Sequence, residues 1–238
     1  MRAKALAALE QLAAPLRDST EVIVRAKANP SAVRALHEAA EELGASLLVA
    51  GGSHRGPVGR VAPGGVAERL LHAAPCAVAI APLDRPVEQD GLRRIGIAFV
   101  DGPEGADALA IGAGLAARAG GVVRTFTVIG PGTPSPGVDE RRRARVEAIL
   151  AKVRAAVPEE LLEGSEVLEG EAAGELARVS AELDLLICGS RGYGPVRSLL
   201  LGGVTWRLAH TTACPLLVVP RAPVPGFRIL TGGPVPPA

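Results

Sequence analysis

The sequence predicts an α/β fold of two doubly wound, mainly parallel sheets, and three observations predict it. Short apolar runs alternate with helical patterning along most of the 238 residues, the order that right-handed crossovers wind into a parallel sheet with helices on both faces. Hydrophobic residues make up 48% of the chain and aromatics only 2%. The core must therefore be built from Ala, Val, Leu and Ile, the usual filling of such a sheet. The third observation is repetition. A shift of 138 places lays GGVAERLLHAAPCAVAIAP (64–82) on GGVTWRLAHTTACPLLVVP (202–220), with eight of nineteen positions identical, including Gly64/Gly202, His72/His210 and Cys76/Cys214. A shift of 137 places also sets Gly52-Ser53 on Gly189-Ser190. Chance similarity in an Ala/Leu-rich chain rarely keeps Gly, His, Cys and Pro in register, so the length is divided between two copies of one domain.

The second copy, 93–220, contains every element. RRIGIAFV (93–100) is a continuous apolar strand closed by Asp101-Gly102, and a helix follows over 105–119. GVVRTFTVIG (121–130) is the next strand, followed by the loop PGTPSPG. Val146, Ile149, Leu150, Val153 and Val157 then recur at helical spacing until Pro158 ends that helix. A short strand at 165–168, a helix at 174–183, the strand DLLICGS, a glycine-bearing loop, a helix at 204–212 and the strand PLLVVP complete the domain.

The first copy, 1–82, is shorter. An amphipathic helix over 1–16, with Leu6, Leu9, Leu12 and Leu16 on one side, corresponds to the later helix at 139–157. EVIVRA (21–26), a helix at 31–43, LLVAGG (47–52) and AVAIAP (77–82) supply the rest. Counterparts of the first strand, first helix and second strand fall upstream of Met1, either lost or cut off by an internally assigned start. The first copy is thus expected to lack its first two strands and to be the less stable half. Residues 83–92 form a linker, and 221–238 a Pro/Gly-rich tail with too little apolar patterning to demand a fold.

Charge removes several classes of function. Lys and Arg number 26 against 25 Asp and Glu, a net charge of +1, which attracts neither nucleic acid nor anionic lipid. Tyr193 and Trp206 are isolated and make no stacking row for nucleic acid. Cys76, Cys188 and Cys214 lie in apolar stretches without metal-ligand spacing and are expected as buried hydrophobes in a reducing compartment. The N-terminus lacks the apolar segment of a signal peptide, and no run of about twenty apolar residues is present. A cytoplasmic protein is the expectation.

The informative constellation is Gly189-Ser-Arg191-Gly192, nine residues, then Gly202-Gly203-Val204-Thr205. It leaves a buried strand and enters a helix, whose first N–H groups are unpaired. Glycines there let the backbone approach a ligand closely, and such a corner favours phosphate. The spacing is longer than the usual dinucleotide fingerprint and lacks the lysine of a P-loop, which points to binding without a charge clamp for phosphoryl transfer. Other polar groups have plainer readings. His72 and His210 sit at helix ends where the dipole favours them, Arg141, Arg142, Arg143 and Arg145 form a solvated face, and Asp101 either meets a ligand or caps the following helix.

With that loop, the sequence resembles the universal stress protein family, over 93–220 whole and most of 1–82. The family pairs an Asp at the end of the first strand with a GxxG-x9-G-(S/T) loop after the fourth. The resemblance implies the strand order 3-2-1-4-5 and a regulatory protein of the stress response that binds an adenine nucleotide, ATP, in the second copy, with Mg as a possible counter-ion. Asp101 would contact the nucleoside and Val128 the adenine through its backbone. Gly189, Arg191, Gly192, Gly202, Gly203, Val204 and Thr205 would surround the phosphates and ribose. Gly203 stands where the family has Ser or Thr, which removes a hydroxyl but keeps the N–H. In the first copy, Gly52-Ser-His-Arg-Gly reads one residue shorter and has no first-strand Asp, so it is not expected to bind. The resemblance also implies self-association through the last strand of each copy, AVAIAP and PLLVVP, expected at sheet edges. A nucleotide-independent dimerisation module is the alternative. An enzyme is not expected beyond slow ATP hydrolysis, because no nucleophile with a base, paired carboxylates or metal ligands stand near the loop.

Overall fold

The structure, a computed structural model, describes residues 2–52, 63–82, 91–130, 136–190 and 203–220. In the first half these form α1 (Arg2–Ala13), a 3₁₀ turn (Ala14–Leu16), α2 (Ala32–Glu42), β1 (Leu47–Gly51), α3 (Gly65–Ala73) and β2 (Ala77–Ala81). The second half contains β3 (Arg94–Ala98), α4 (Pro103–Ala119), β4 (Val122–Ile129), α5 (Pro136–Ala156), β5 (Leu162–Glu169), α6 (Ala172–Val179), β6 (Leu185–Gly189), α7 (Gly203–Thr211) and β7 (Leu216–Val219). Helix boundaries follow local chemistry. Ser31 accepts the Arg34 N–H at the start of α2, Glu171 accepts from Ala173 and Gly174 at the start of α6, and Gly120 closes α4 in the left-handed region at φ 64°. Pro136 and Gly137, expected in a loop, belong to α5; proline is tolerated in a first turn because its missing N–H is not needed there.

Two separate sheets were expected, and the described residues form one. Seven strands run in the order β1-β2-β7-β6-β3-β4-β5. Every neighbouring pair is parallel except β2 with β7. In that antiparallel ladder Ala79 faces Leu217, Val78 faces Val218 and Ile80 faces Leu216. Ala79 and Leu217 are related by the 138-place shift, so a pseudo-two-fold axis passes between them. A second pair related by the same shift also meets, because the Trp206 indole donates to Glu68 Oε1 at 3.2 Å. The last strands are therefore interior, paired with each other. The expectation that they lie at edges open to another chain fails, because pairing within one chain satisfies the same ladder without the entropy cost of association.

Helices cover both faces of the second half's strands. One apolar layer joins Val78, Ile80, Phe126, Leu186 and Leu216 to α3, α6 and α7, and the other joins Ile95, Ile97, Ile187 and Leu217 to α4 and α5. All three cysteines are buried. The N-terminal quarter departs from expectation. EVIVRA is in no ladder, and Ile23 is 67% exposed. Its apolar alternation suits a strand, but a strand forms only against a partner for its N–H and C=O groups, and among the described residues no strand beyond β1 offers one. The leucine stripe of α1 likewise finds little to cover, with Leu12 and Leu16 both exposed.

Candidate functional site

β3 ends at the point where the strand order reverses, with β4 on one side and β6 on the other. Ligands of open parallel sheets bind in the crevice outside such carboxyl ends. Gly102, at φ 155°, turns the chain from β3 into α4. Gly105 then lies against the Val100 carbonyl so closely that any Cβ would clash with it, which seats α4 tightly on the strand end. Across the crevice, Gly189 ends β6 and Gly203 opens α7.

Three adjoining clefts, which share lining residues, occupy this corner. One lies between the start of α4 and the start of α7, lined by Asp101, Gly105, Gly189, Val204 and Thr205 over a floor of Ala98 and Cys188. The second passes beneath Asp101 to Val128, Gly130 and Arg145 of α5. The third joins Val128 and Gly130 to Glu171, Gly203, Val204 and Arg207. Asp101, Val128, Gly189, Gly203, Val204 and Thr205 are thus brought together, whereas Arg191, Gly192 and Gly202 lie outside the described residues. A Cβ built on Gly203 would meet nothing within 4 Å, and α7 begins at this corner, where the N–H groups of a first turn have no partner within their own helix.

The charges are arranged in pairs. Lys152 of α5 donates to both carboxylate oxygens of Asp101 at 2.6 Å, and α4 has no side-chain cap, so Asp101 is engaged by a cation and not by the helix it precedes. Arg207 meets Glu171 at 2.6 Å; the Ala173 and Gly174 N–H groups, with Arg207, hold the Glu171 carboxyl below its ordinary range. The Thr205 hydroxyl donates to the Gly189 carbonyl at 3.0 Å and ties α7 to the end of β6. Complete burial pushes the Cys188 thiol up to about 12, so it is an apolar floor and not a nucleophile. Lys152, Glu171 and Arg207 escape sequence reasoning. Lys152 stands beside Val153 in an ordinary amphipathic pattern, and only the packing of α5 beside β3 reveals which carboxylate it meets.

Leu48 lies beside Val78 as Leu186 lies beside Leu216, so the sheet aligns Gly51, not Gly52, with Gly189. The expectation of a first-copy loop shorter by one residue fails, because Gly51 to Gly64 spans the same distance as Gly189 to Gly202. His54 takes the place of Gly192, and Ala67 that of Thr205.

Fold and crevice define an open, doubly wound α/β protein with a ligand-sized corner at its switch point. The sequence pattern of the universal stress protein family matches residues 1–82 and 91–220; the chain belongs to that family. Universal stress proteins of Mycobacterium tuberculosis and Mycobacterium bovis are 29% identical over 217 residues, covering 86% of this chain and 74% of theirs. Among solved structures, a functionally unknown protein of Pseudomonas aeruginosa PAO1 superimposes with a TM-score of 0.70 at 18% identity, covering 95% of this chain and 80% of the other. A universal stress protein of Archaeoglobus fulgidus DSM 4304 does so at 0.64 and 21% identity, covering 92% and 77%. These likenesses show the fold alone. Among the described residues no helix is long and apolar enough to cross a membrane.

Proposed function

We propose that the protein is a regulatory adenine-nucleotide-binding module of the cellular stress response, taking ATP in the second half only. One observation carries this: Asp101, the apolar Val128 and the start of α7 at Gly203 and Val204 line adjoining clefts at one corner of the sheet. That corner offers a carboxylate to accept from a nucleoside, an apolar wall for a flat base, and backbone N–H groups for an anion. The glycine loop from Gly189 to Gly203 supplies close approach to phosphates, with any Mg held chiefly by phosphate oxygens and water. Without a P-loop lysine the module binds and does not transfer phosphate, so occupancy biases its conformation or partners. It acts in the cytoplasm.

Isothermal titration with ATP tests the reading. The native chain is expected to bind, and Gly192→Val and Gly202→Val each to abolish binding by filling the space where backbone meets phosphate. Unchanged titration in both variants refutes the site. A native chain that binds no ATP and retains none through purification favours the nucleotide-independent interaction module.

A further inference from the structure

Asp101 stands on the divide between two of the clefts. It lines the one that holds Gly189, Val204 and Thr205, and also the one that holds Val128 and Arg145. A nucleotide with its base against Val128 and its phosphates beside the loop glycines therefore carries its sugar across Asp101. The carboxylate is not alone there, because Lys152 Nζ donates to both of its oxygens at 2.6 Å. The position of that lysine is set by α5. Ile149, a turn before it, and Val153, directly after it, are 5% and 1% exposed and anchor this part of the helix in the core.

We infer that Asp101 and Lys152 act as one device that reads the hydroxyls of a ribose, so that the corner prefers ribonucleotides to their deoxy analogues; this rests on the nucleotide-binding reading above. Each sugar hydroxyl offers one proton and accepts through its oxygen. An ammonium that gives two N–H groups to a carboxylate keeps a third, and a carboxylate oxygen that has accepted one bond can accept another. The pair therefore presents a donor and acceptors side by side. A vicinal diol answers both: one hydroxyl gives its proton to Asp101 while the oxygen of its neighbour accepts from Lys152, and both bonds are strengthened by the ionised partner. Asp101 without Lys152 would still accept the protons, but it would leave a full negative charge close to the phosphates, which the lysine cancels. Both side chains remain about half in water, at 54% and 53% exposure. Water therefore replaces a missing hydroxyl in part, and the discrimination is about three- to tenfold, far below that of a fully buried site.

Isothermal titration of the full chain with ATP, 2′-deoxy-ATP and 3′-deoxy-ATP is the test. The native chain is expected to bind ATP about three- to tenfold more tightly than either analogue. Lys152→Met is expected to narrow that ratio to within about twofold, and Lys152→Arg, which keeps a cation with several donors, to preserve most of it. Both variants are expected to retain the native circular dichroism and melting, because a half-exposed ion pair contributes little to the fold. Equal binding of the three nucleotides by the native chain overturns the inference while leaving the nucleotide site standing, and so does a preference for ATP that Lys152→Met leaves intact. A native chain that binds none of the three overturns both.

Discussion

Val49 of β1 and Ile187 of β6 occupy the same place in two halves of one sheet, beside Ala79 and Leu217 respectively, yet Val49 is 67% exposed and Ile187 is 0% exposed. Their local sequences, Leu-Leu-Val-Ala-Gly and Leu-Leu-Ile-Cys-Gly, are nearly alike. What differs is the surroundings. Ile187 pairs with Ile97 of β3 and lies under Gly112 of α4, where any Cβ would collide with Ile97, whereas among the described residues no strand lies beyond β1. Burial is thus set by the neighbours that the topology delivers, and an apolar run declares only that it can be buried.

The sharpest way to break that comparison is to truncate both side chains. Ile187→Ala leaves a cavity in the layer it shares with Ile95 and Ile97 and is expected to cost about 2–5 kcal/mol. Val49→Ala is expected to stay within about 0.5 kcal/mol, since Val49 is exposed. Urea titrations followed by circular dichroism read both, and similar losses at the two positions would mean that the outer edge is covered.

The same contrast explains what was legible in the sequence. In the second half the expected strands 93–100, 121–130, 184–190 and 215–220 enclose the observed β3, β4, β6 and β7, because buried parallel strands are unbroken apolar runs flanked by Gly, Asp or Pro. EVIVRA is as apolar and as branched, but it lacks a ladder partner, which no property of its own residues could reveal. The merging of two sheets into one was also hidden, since the β2 to β7 pairing depends on two strands 138 places apart in sequence. At the crevice the glycine spacing and Asp101 stand out as residue types. The Lys152 partner of Asp101 does not, because lysines on helix surfaces are common and reach through flexible stems.

Cysteine chemistry tests the comparison at the next position along the strands. Cys188 corresponds by register to Ala50. Burial lifts its thiol from the ordinary 9.0 to about 12, so at pH 8 only ~1 in 10⁴ of it is thiolate, and that fraction is shielded. Ala50→Cys should alkylate with maleimide far faster in native protein, and equal rates would refute the difference in enclosure. The sign of the linkage also follows. The folded state holds the Cys188 proton more tightly than the unfolded chain, so this contribution to stability is complete below pH 9 and is lost as pH rises toward about 12. A denaturant midpoint of Cys188→Ala that falls as steeply as the native one across that alkaline range would exclude the thiol as the cause.

The smallest expected difference lies between Thr205 and Ala67, which stand at the same place in α7 and α3. Both are buried, at 2% and 3% exposure, but only Thr205 has a donor, and it spends that donor on Gly189 at 3.0 Å. Thr205→Val keeps shape and removes the bond, for an expected loss of about 0.5–1.5 kcal/mol, which urea melts can follow through the chain's single tryptophan, Trp206. The hydroxyl proton of Thr205 is committed to the protein, so its removal should weaken ATP by less than tenfold, through a slightly looser first turn of α7. A greater loss of affinity with no loss of stability would put that hydroxyl on the ligand instead, and would make the first half's alanine a direct reason for its expected failure to bind.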